Sequence, residues 1–188
     1  MSDIAILKQM IKATATVPLE AHHNKKQVKL IEPDLPSCIV TIHGMPNEDQ
    51  VIVIKADAFQ SPSTIFSGSK GECKRADFVI VADTDTKKVI LCIEMKAKTK
   101  TSPEWEIIQQ LKGAKCFITY CQKIGKEFWG EKNFLDTYVY RFVTIRNINI
   151  NKRTTREKIT DAHSIPEQML KISSPNYIQF SHLIGGKQ

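Results

Sequence analysis

Apolar residues near the N-terminus are spaced as on one face of a helix. Ile4, Leu7, Met10 and Ile11 fall on one side of a helical projection, and Ser2 is suited to cap its first turn. The pattern predicts an amphipathic helix over residues 2–14. A second helix is predicted over 18–31, although a polar run within it, 21–26, gives it little apolar support.

Short apolar runs separated by turn residues follow, and they predict strands. Runs 38–43 and 51–56 flank a segment that contains Gly44, Pro46 and Asn47, so we expect a hairpin. A Ser-, Gly- and Pro-rich segment, 59–71, predicts a loop that could close over a ligand. Two strongly apolar runs, 76–82 and 89–94, then predict two more strands.

The spacing becomes helical again after Ser102. Ser102 and Pro103 are typical of a helix start, and a helix ending near Lys123 is predicted by apolar residues at steps of four and three, namely Ile107, Leu111, Ala114, Ile118 and Cys121. A β-rich run over 137–150 follows, and 168–184 could supply one or two further strands. The strand–helix–strand order predicts an α/β fold with a mixed central β-sheet flanked by α-helices.

Composition places the chain among globular proteins. Its 188 residues are 41% hydrophobic and 25% charged, which excludes disordered and fibrous classes and is enough for one core. We expect one domain over 1–188, with a central part at about 36–150, an N-terminal helical segment at 1–32 and a β/loop extension at 151–188. No run is long enough to span a membrane and the start has no secretory pattern, so we expect a cytoplasmic protein with free thiols and no membrane partner.

Positive charge is unevenly distributed along the chain. There are 27 Lys and Arg against 20 Asp and Glu, a formal net charge of +7. Segments 96–126 and 141–158 each carry a net charge of +5. Such charge suits nucleic acid, an anionic membrane surface, or no specific partner at all.

The most informative segment contains two acids at the ends of the apolar strands predicted over 76–82 and 89–94. If the turn between these strands has an even number of residues, Asp77 lies directly opposite Glu94. Carboxylates about 5 Å apart repel each other unless a cation lies between them. Lys96, two residues after Glu94, lies on the same face. An odd turn would separate the acids onto opposite faces, and solvated strand ends remain the alternative interpretation.

Oxygen ligands of this kind favour a hard cation. Mg²⁺, with Mn²⁺ as a substitute, takes carboxylate oxygens and completes its coordination with water and substrate phosphate. A nearby lysine can orient the attacking water and offset negative charge in the transition state. Asp77, Glu94 and Lys96 are therefore candidate residues for metal-dependent phosphodiester hydrolysis.

These residues, together with the helix that follows them, resemble the PD-(D/E)XK nuclease superfamily, which includes restriction and DNA-repair nucleases. The resemblance covers about 71–146 and rests on Asp77, Glu94-Met95-Lys96 and the helix with Gln109 and Gln110; Ala76 stands where the family name has Pro. It implies a restriction-endonuclease-like core and an Mg²⁺ ion bound by Asp77, Glu94 and the carbonyl of Met95, with Lys96 assisting the nucleophilic water.

The resemblance also implies further residues around the site. Gln110 lies nearer the inward stripe of the helix than Gln109 and is the candidate for the glutamine that some branches use in catalysis. Some members add a glutamate from an early helix, for which Glu20 is a weak candidate, and Glu72 is another residue that could join the metal site.

The function that the resemblance implies is a nuclease, and within that class a DNA endonuclease of the restriction, defence or repair type. DNA is favoured over RNA, and a homodimer would suit cleavage of two strands. Candidate phosphate contacts are Lys98, Lys100, Lys112, Arg153 and Arg156. The alternatives are an inactive nucleic-acid-binding module or partner subunit with the same fold, and a basic scaffold whose strand-end charges are accidental.

Overall fold

Two β-sheets form most of the structure, a computed structural model that describes residues 1–33, 35–97, 102–148, 163–173, 175 and 177–185. The outer sheet has four strands in the order β1-β2-β3-β9: Glu20–His22, Lys25–Ile31, Ile39–Met45 and Ile178–Gln179. The central sheet has five strands in the order β4-β5-β6-β7-β8: Val51–Lys55, Phe78–Asp83, Lys88–Lys96, Val139–Arg146 and Leu170–Ser173. The helices are α1 (Asp3–Met10), α2 (Glu104–Phe128) and α3 (Phe180–Leu183).

The central sheet is mixed. Strands β4, β5 and β6 are antiparallel neighbours, whereas β7 and β8 run parallel to β6. Helix α2 provides the connection from β6 to β7 that a parallel pair requires. The carboxyl ends of β6, β7 and β8 therefore lie at one edge of the sheet, close to the first turn of α2.

Each face of the central sheet packs against a different layer. Side chains such as Ile80, Leu91 and Ile145 share a buried cluster with Val28 and Ile42 of the outer sheet. The opposite face packs on α1 and α2, through a second cluster that includes Val79, Cys92, Phe142, Ile4 and Ile107. The predicted α/β class is thus confirmed, but helices cover one face of the central sheet and a second sheet covers the other.

Residues 18–31 do not form the predicted helix. They contain β1 and β2, which pair as an antiparallel hairpin. Val28 and Leu30 are fully buried while Lys29 and Ile31 are exposed, and this alternation is that of a half-buried strand. Because only two apolar positions alternate, the period of two is short and easily taken for a helical pattern.

The predicted hairpin between 38–43 and 51–56 is also wrong. Strand β3 pairs with β2 and β9, whereas β4 pairs with β5, and a short 3₁₀ turn over Glu48–Gln50 connects the two sheets. Val51 to Ile54 are at most 4% exposed, so both faces of β4 need cover. The central sheet provides that cover, and a position in the outer sheet would leave one face of β4 in solvent.

The predicted long helix is present but begins and ends later than expected. Pro103 is the N-cap of α2, and the helix continues past Lys123 to Phe128. Strands β8 and β9 account for the one or two strands expected near the C-terminus. No helix in the described ranges has both the length and the apolar character needed to cross a bilayer. All five cysteines are free thiols.

Candidate active site

The two candidate acids lie at adjacent strand ends, as the even-turn register predicts. Phe78 pairs with Ile93 and Asp83 pairs with Lys88, so the pairing continues by one step to Asp77 and Glu94. Their neighbours Val79 and Cys92 pack on the helices, and with a period of two the acids face the same way. Asp77, Glu94 and Lys96 therefore lie together on the helix-covered face of the central sheet.

Asp77 is held through both its backbone and its side chain. Its carbonyl accepts a hydrogen bond from the Ala56 N–H (2.8 Å), and its Oδ2 accepts one from the Met95 N–H (2.7 Å). Burial raises the pKa of Asp77 to about 7, although the Met95 hydrogen bond and the positive charge of Lys96 oppose that shift. The sheet thus fixes this carboxyl where its charged form is poorly solvated.

Glu94 is more deeply buried, with no exposed surface. It forms an ion pair with Lys96, yet neither of its carboxylate oxygens accepts a well-aligned hydrogen bond from any residue that the structure describes. Burial raises the pKa of Glu94 well above its usual value, and the charge of Asp77 raises it further. Such a group is unusual in a folded interior unless a ligand or ion completes its contacts.

Lys96 is the cation of this group. Its side chain is 12% exposed. Burial is the largest single influence and lowers its pKa, but the charge and hydrogen bonding of Glu94, together with the charges of Asp77 and Glu32, outweigh burial, and the pKa of Lys96 is raised. The ammonium therefore stays charged beside the acids. When all three groups are ionised, the two carboxylates and one ammonium together carry a net charge of −1. This group of three side chains would therefore attract a cation.

The donor atoms fit a hard divalent cation. Among the residues that the structure describes, no three His, Cys, Asp or Glu side chains converge closely enough to hold a metal by themselves. A two-carboxylate site suits Mg²⁺, however, because Mg²⁺ commonly keeps several waters and takes substrate oxygens. Since the N–H and C=O of a strand residue point to the same side, the Met95 carbonyl also faces the Asp77 side of β6.

Two acids that the sequence did not single out influence the same group. Glu32 is 2% exposed and follows β2 of the outer sheet, and its charge adds to the pKa shifts of both Asp77 and Lys96. Asp57, next to the Ala56 that holds the Asp77 backbone, also raises the pKa of Asp77. Neither Glu32 nor Asp57 lies at a sequence distance from Asp77 that forms a recognisable motif. The packing of the two sheets brings them close enough to affect its pKa.

The two glutamates considered earlier for the metal site are engaged elsewhere. Glu20 lies on β1, where it forms an ion pair with Lys29 (2.8 Å). Glu72 accepts hydrogen bonds from the N–H groups of Gly68 (3.0 Å) and Lys70 (2.8 Å) within its own loop. Glu20 is thus in a strand of the outer sheet and not in an early helix.

Helix α2 fixes the segment that leads into Asp77. Gln109 Nε2 donates to the carbonyl of Lys70 (3.1 Å), and a Cβ on Gly113 would lie only 1.8 Å from the carbonyl oxygen of Lys74. The absence of a side chain at position 113 therefore permits the close approach. Gln110, the preferred candidate, has a buried amide oxygen with no hydrogen-bond partner among the described residues, whereas Gln109 is used to hold the loop.

Strand β7 adds two polar residues beside the acids. Thr144 pairs with Glu94 and Arg146 pairs with Lys96 in the parallel register, which places both on the same helix-covered face. Thr144 is fully buried, and its hydroxyl has no hydrogen-bond partner within the described ranges. Threonine is common in strands, so nothing in the sequence distinguished Thr144 from a structural residue.

Only one of the five candidate phosphate contacts belongs to the described residues. Lys98, Lys100, Arg153 and Arg156 lie outside them. Lys112 is exposed on α2 and forms an ion pair with Glu167 (2.6 Å). An exposed ion pair of this kind contributes little stability and can exchange for a phosphate contact.

Both acids and the lysine are thus brought together, with Arg146, Thr144 and Glu32 as neighbours that sequence reasoning did not connect to them. Comparisons of the chain with protein-family models, with curated proteins and with solved structures found no match.

Proposed function

We propose that the protein is a metal-dependent nuclease that hydrolyses phosphodiester bonds, acting as a DNA endonuclease of the restriction, defence or repair type. The observation that carries the proposal is the group formed by Asp77, Glu94 and Lys96, in which two poorly solvated carboxylates face one lysine. Perturbed acids beside a specific charge partner are typical of catalytic sites.

The order of elements supports this proposal. After helix α1 and the outer-sheet strands β1 to β3, the antiparallel strands β4 to β6, helix α2 and the parallel strand β7 follow one another along the chain. This order brings the start of β5 and the end of β6 to the same edge of the sheet, beneath α2. It is compatible with the PD-(D/E)XK resemblance, which assigns the catalytic residues to these two strand ends.

Asp77, Glu94 and the Met95 carbonyl are the groups that would hold Mg²⁺ or Mn²⁺. When bound there, the ion would supply positive charge to a phosphate oxygen and lower the pKa of a coordinated water. The Met95 N–H orients the Asp77 carboxylate by donating a hydrogen bond to Oδ2, so Oδ1 is the oxygen that this hydrogen bond does not engage. Glu94 is already in contact with Lys96, so an ion bound at Glu94 would share or replace part of that contact.

Lys96 has the position of a group that orients water. Its ammonium contacts Glu94, and its charge also acts on Asp77. On binding of substrate, the Lys96 Nζ would exchange part of its contact with Glu94 for a hydrogen bond to the attacking water. The positive charge then lies where negative charge develops on the phosphate. Gln110 is a further polar group on the inward side of α2 that could contact substrate or water.

Substrate would enter from the Asp77 side. Asp77 and Lys96 are only partly buried, whereas Glu94 lies beneath them with no exposed surface. A phosphate that approaches this edge therefore meets the partly exposed acid and the lysine first. The net charge of +7 on the whole chain would offset part of the repulsion between the phosphate and the two carboxylates.

The test is a cleavage assay with matched variants. The protein is incubated with supercoiled plasmid, linear duplex DNA, single-stranded DNA and RNA in Mg²⁺, Mn²⁺ or EDTA. We expect nicked or linear plasmid with Mg²⁺ or Mn²⁺ and none with EDTA. Asp77→Asn, Glu94→Gln and Lys96→Met should each lower the rate by at least about a hundredfold, the usual size of such a contribution.

The matched control is Asp83→Asn, at the other end of β5. Asp83 is paired with Lys88 (2.9 Å), and its replacement removes the same charge from the same strand without touching the acid pair. We expect its rate to stay within about twofold of wild type. Equal cleavage by wild type and the three site variants would reject the proposal, and cleavage of RNA alone would correct the substrate. Binding without cleavage under every condition would favour the inactive nucleic-acid-binding module.

A further inference from the structure

Arg146 occupies the strand position directly beside Lys96. The two residues pair in the parallel register of β6 and β7, so their backbones lie about 4.8 Å apart and their side chains share the helix-covered face. Like charges at directly opposed positions destabilise a sheet unless an anion lies between them. Glu94 is paired with Lys96, and among the described residues neither Asp77 nor Glu94 forms an ion pair with Arg146.

The Arg146 guanidinium is incompletely satisfied. Its Nε and Nη2 atoms are buried and have no hydrogen-bond partner among the residues that the structure describes. A buried donor of this kind costs free energy unless a ligand accepts from it. Nε and one terminal nitrogen form one edge of the guanidinium, which is the edge that binds two oxygens of a phosphate or carboxylate.

Glu104, the carboxylate whose pKa Arg146 influences, is already in an ion pair with another residue. Glu104, in the first turn of α2, forms an ion pair with Lys171 on β8 (2.7 Å), and Arg146 contributes only weakly to its lowered pKa. The first turn of α2 carries Glu104 and Glu106, which offset the positive potential of the helix end. The case for an anion therefore rests on Lys96 and on the unsatisfied edge of Arg146.

We propose that Arg146 binds a phosphate group of the nucleic-acid substrate through its unsatisfied guanidinium edge and so positions that phosphate beside Asp77 and Glu94. This inference rests on the proposed function for the identity of the anion. It assigns to one residue of the basic segment 141–158 a contact at the reacting centre, instead of a share in a diffuse surface charge. Arg146 as a whole is partly exposed, whereas its Nε and Nη2 edge is buried in the protein without substrate, so the phosphate contact requires that edge to open when substrate binds.

Arg141 is the matched comparison on the same strand. It pairs with Leu91, whose side chain belongs to the core between the two sheets, so Arg141 faces away from the site. Its Nη1 donates to the Tyr140 carbonyl (2.9 Å). Replacement of either arginine by glutamine removes the same charge, but only Arg146→Gln removes the guanidinium beside Lys96.

The experiment measures binding in EDTA, where cleavage does not occur, by anisotropy of a labelled short duplex, with single-stranded DNA and RNA of the same sequence as further probes. We expect Arg146→Gln to weaken binding by about tenfold or more and Arg141→Gln by less than about twofold. Between about 50 and 200 mM salt, the plot of log K against log salt has a negative slope, and the magnitude of that slope should decrease by about 0.9 for Arg146→Gln. Arg146→Lys should keep the slope but not the full affinity.

The outcomes separate this inference from the proposed function. Unchanged affinity and slope in Arg146→Gln would overturn the phosphate contact, whether or not the wild-type protein cuts DNA. Equal losses in the Arg146→Gln and Arg141→Gln variants would also overturn it, since they would indicate a general charge effect. Loss of binding and slope in Arg146→Gln alone, in a protein that never cuts, would support the contact while rejecting the nuclease. Failure of the wild type to bind any probe would overturn the inference.

Discussion

Asp77 is subject to two opposing effects, a hydrogen bond that orients its carboxyl and burial that disfavours its charge. The Met95 N–H holds its carboxyl in place, while burial makes the charged form costly and raises the pKa of Asp77 to about 7. An uncharged side chain of the same shape would keep the hydrogen bond and avoid the cost of burying a charge. The residue best placed to hold a cation is therefore one that lowers the stability of the cation-free protein.

This conflict predicts how stability depends on pH in EDTA. Because the folded-state pKa of Asp77 lies above the usual value of 3.8, the folded state binds a proton more tightly than the unfolded state. The free energy of unfolding should then fall as the pH rises towards about 7 and stay low above it, by on the order of a few kcal/mol. Asp77→Asn should melt at a higher temperature than wild type at about pH 8 and show a shallower pH dependence.

Thermal melts of both proteins between about pH 5 and about pH 8 check this prediction. The raised pKa of Glu94 acts in the same direction and remains in the variant, so some pH dependence should persist. Asp83→Asn serves as the control and should follow the wild-type curve. An Asp77→Asn protein that melts below wild type at about pH 8 would contradict the prediction.

At the scale of elements, the site depends on how closely α2 approaches the segment before β5. Gly113 lies against the Lys74 carbonyl, and Lys74 also forms an ion pair with Glu106 of the same helix (2.7 Å). These contacts fix the chain three residues before Asp77. Helix α2 thus holds the segment before β5 in position and also packs on one face of the central sheet.

Gly113→Ala tests this role because helix propensity and steric contact predict opposite signs. Alanine in place of glycine inside a helix ordinarily stabilises by about 0.5–1 kcal/mol. Here the new Cβ would lie 1.8 Å from a backbone oxygen, so we expect destabilisation of about 1–3 kcal/mol and a large loss of cleavage. Chemical unfolding and the plasmid assay measure both effects. An alanine variant more stable than wild type would show that helix and loop do not touch.

The elements also show where sequence reasoning succeeds and where it fails. The pairing of β5 with β6 was predictable because both strands are strongly apolar and a short turn joins them, whereas the even register among the two open alternatives is a result of the structure. The partners of β3 and β4 were not, because a short turn with Gly44 and Pro46 is equally compatible with a hairpin and with a step between sheets. Glu32 was missed as a neighbour of the site because its proximity to Asp77 and Lys96 depends on the packing of the two sheets, and the position of Arg146 beside Lys96 was not foreseen because it depends on a parallel crossover.

At the scale of the whole molecule, three layers meet at the central sheet. The core between the two sheets includes α3 near the C-terminus, where Leu183 is fully buried. Lys87, in the turn between β5 and β6, donates to the carbonyls of Ile184 (3.1 Å) and Gly185 (2.6 Å). Residues 180–185 therefore connect the β5–β6 hairpin to the outer sheet from the side opposite α2.

Leu183→Ala tests the contribution of this C-terminal docking to stability. Removal of a fully buried leucine side chain should cost about 2–5 kcal/mol. Ile165→Ala, at a site 44% exposed, is the control and should cost less than about 1 kcal/mol. Equal effects in denaturant unfolding would contradict the structure. Because α3 packs on the face away from Asp77 and Glu94, cleavage at low temperature should survive in Leu183→Ala.

The pairing register of β5 and β6 has a consequence for how this chain can vary. The turn between Asp83 and Lys88 can lengthen without changing that register, because hairpin loops of several lengths are common. One residue inserted within β5 or within β6 would instead move Asp77 or Glu94 to the face between the two sheets and leave the other acid in place. Related chains that keep both acids should therefore change the lengths of β5 and β6 together, whereas the turn is free to differ.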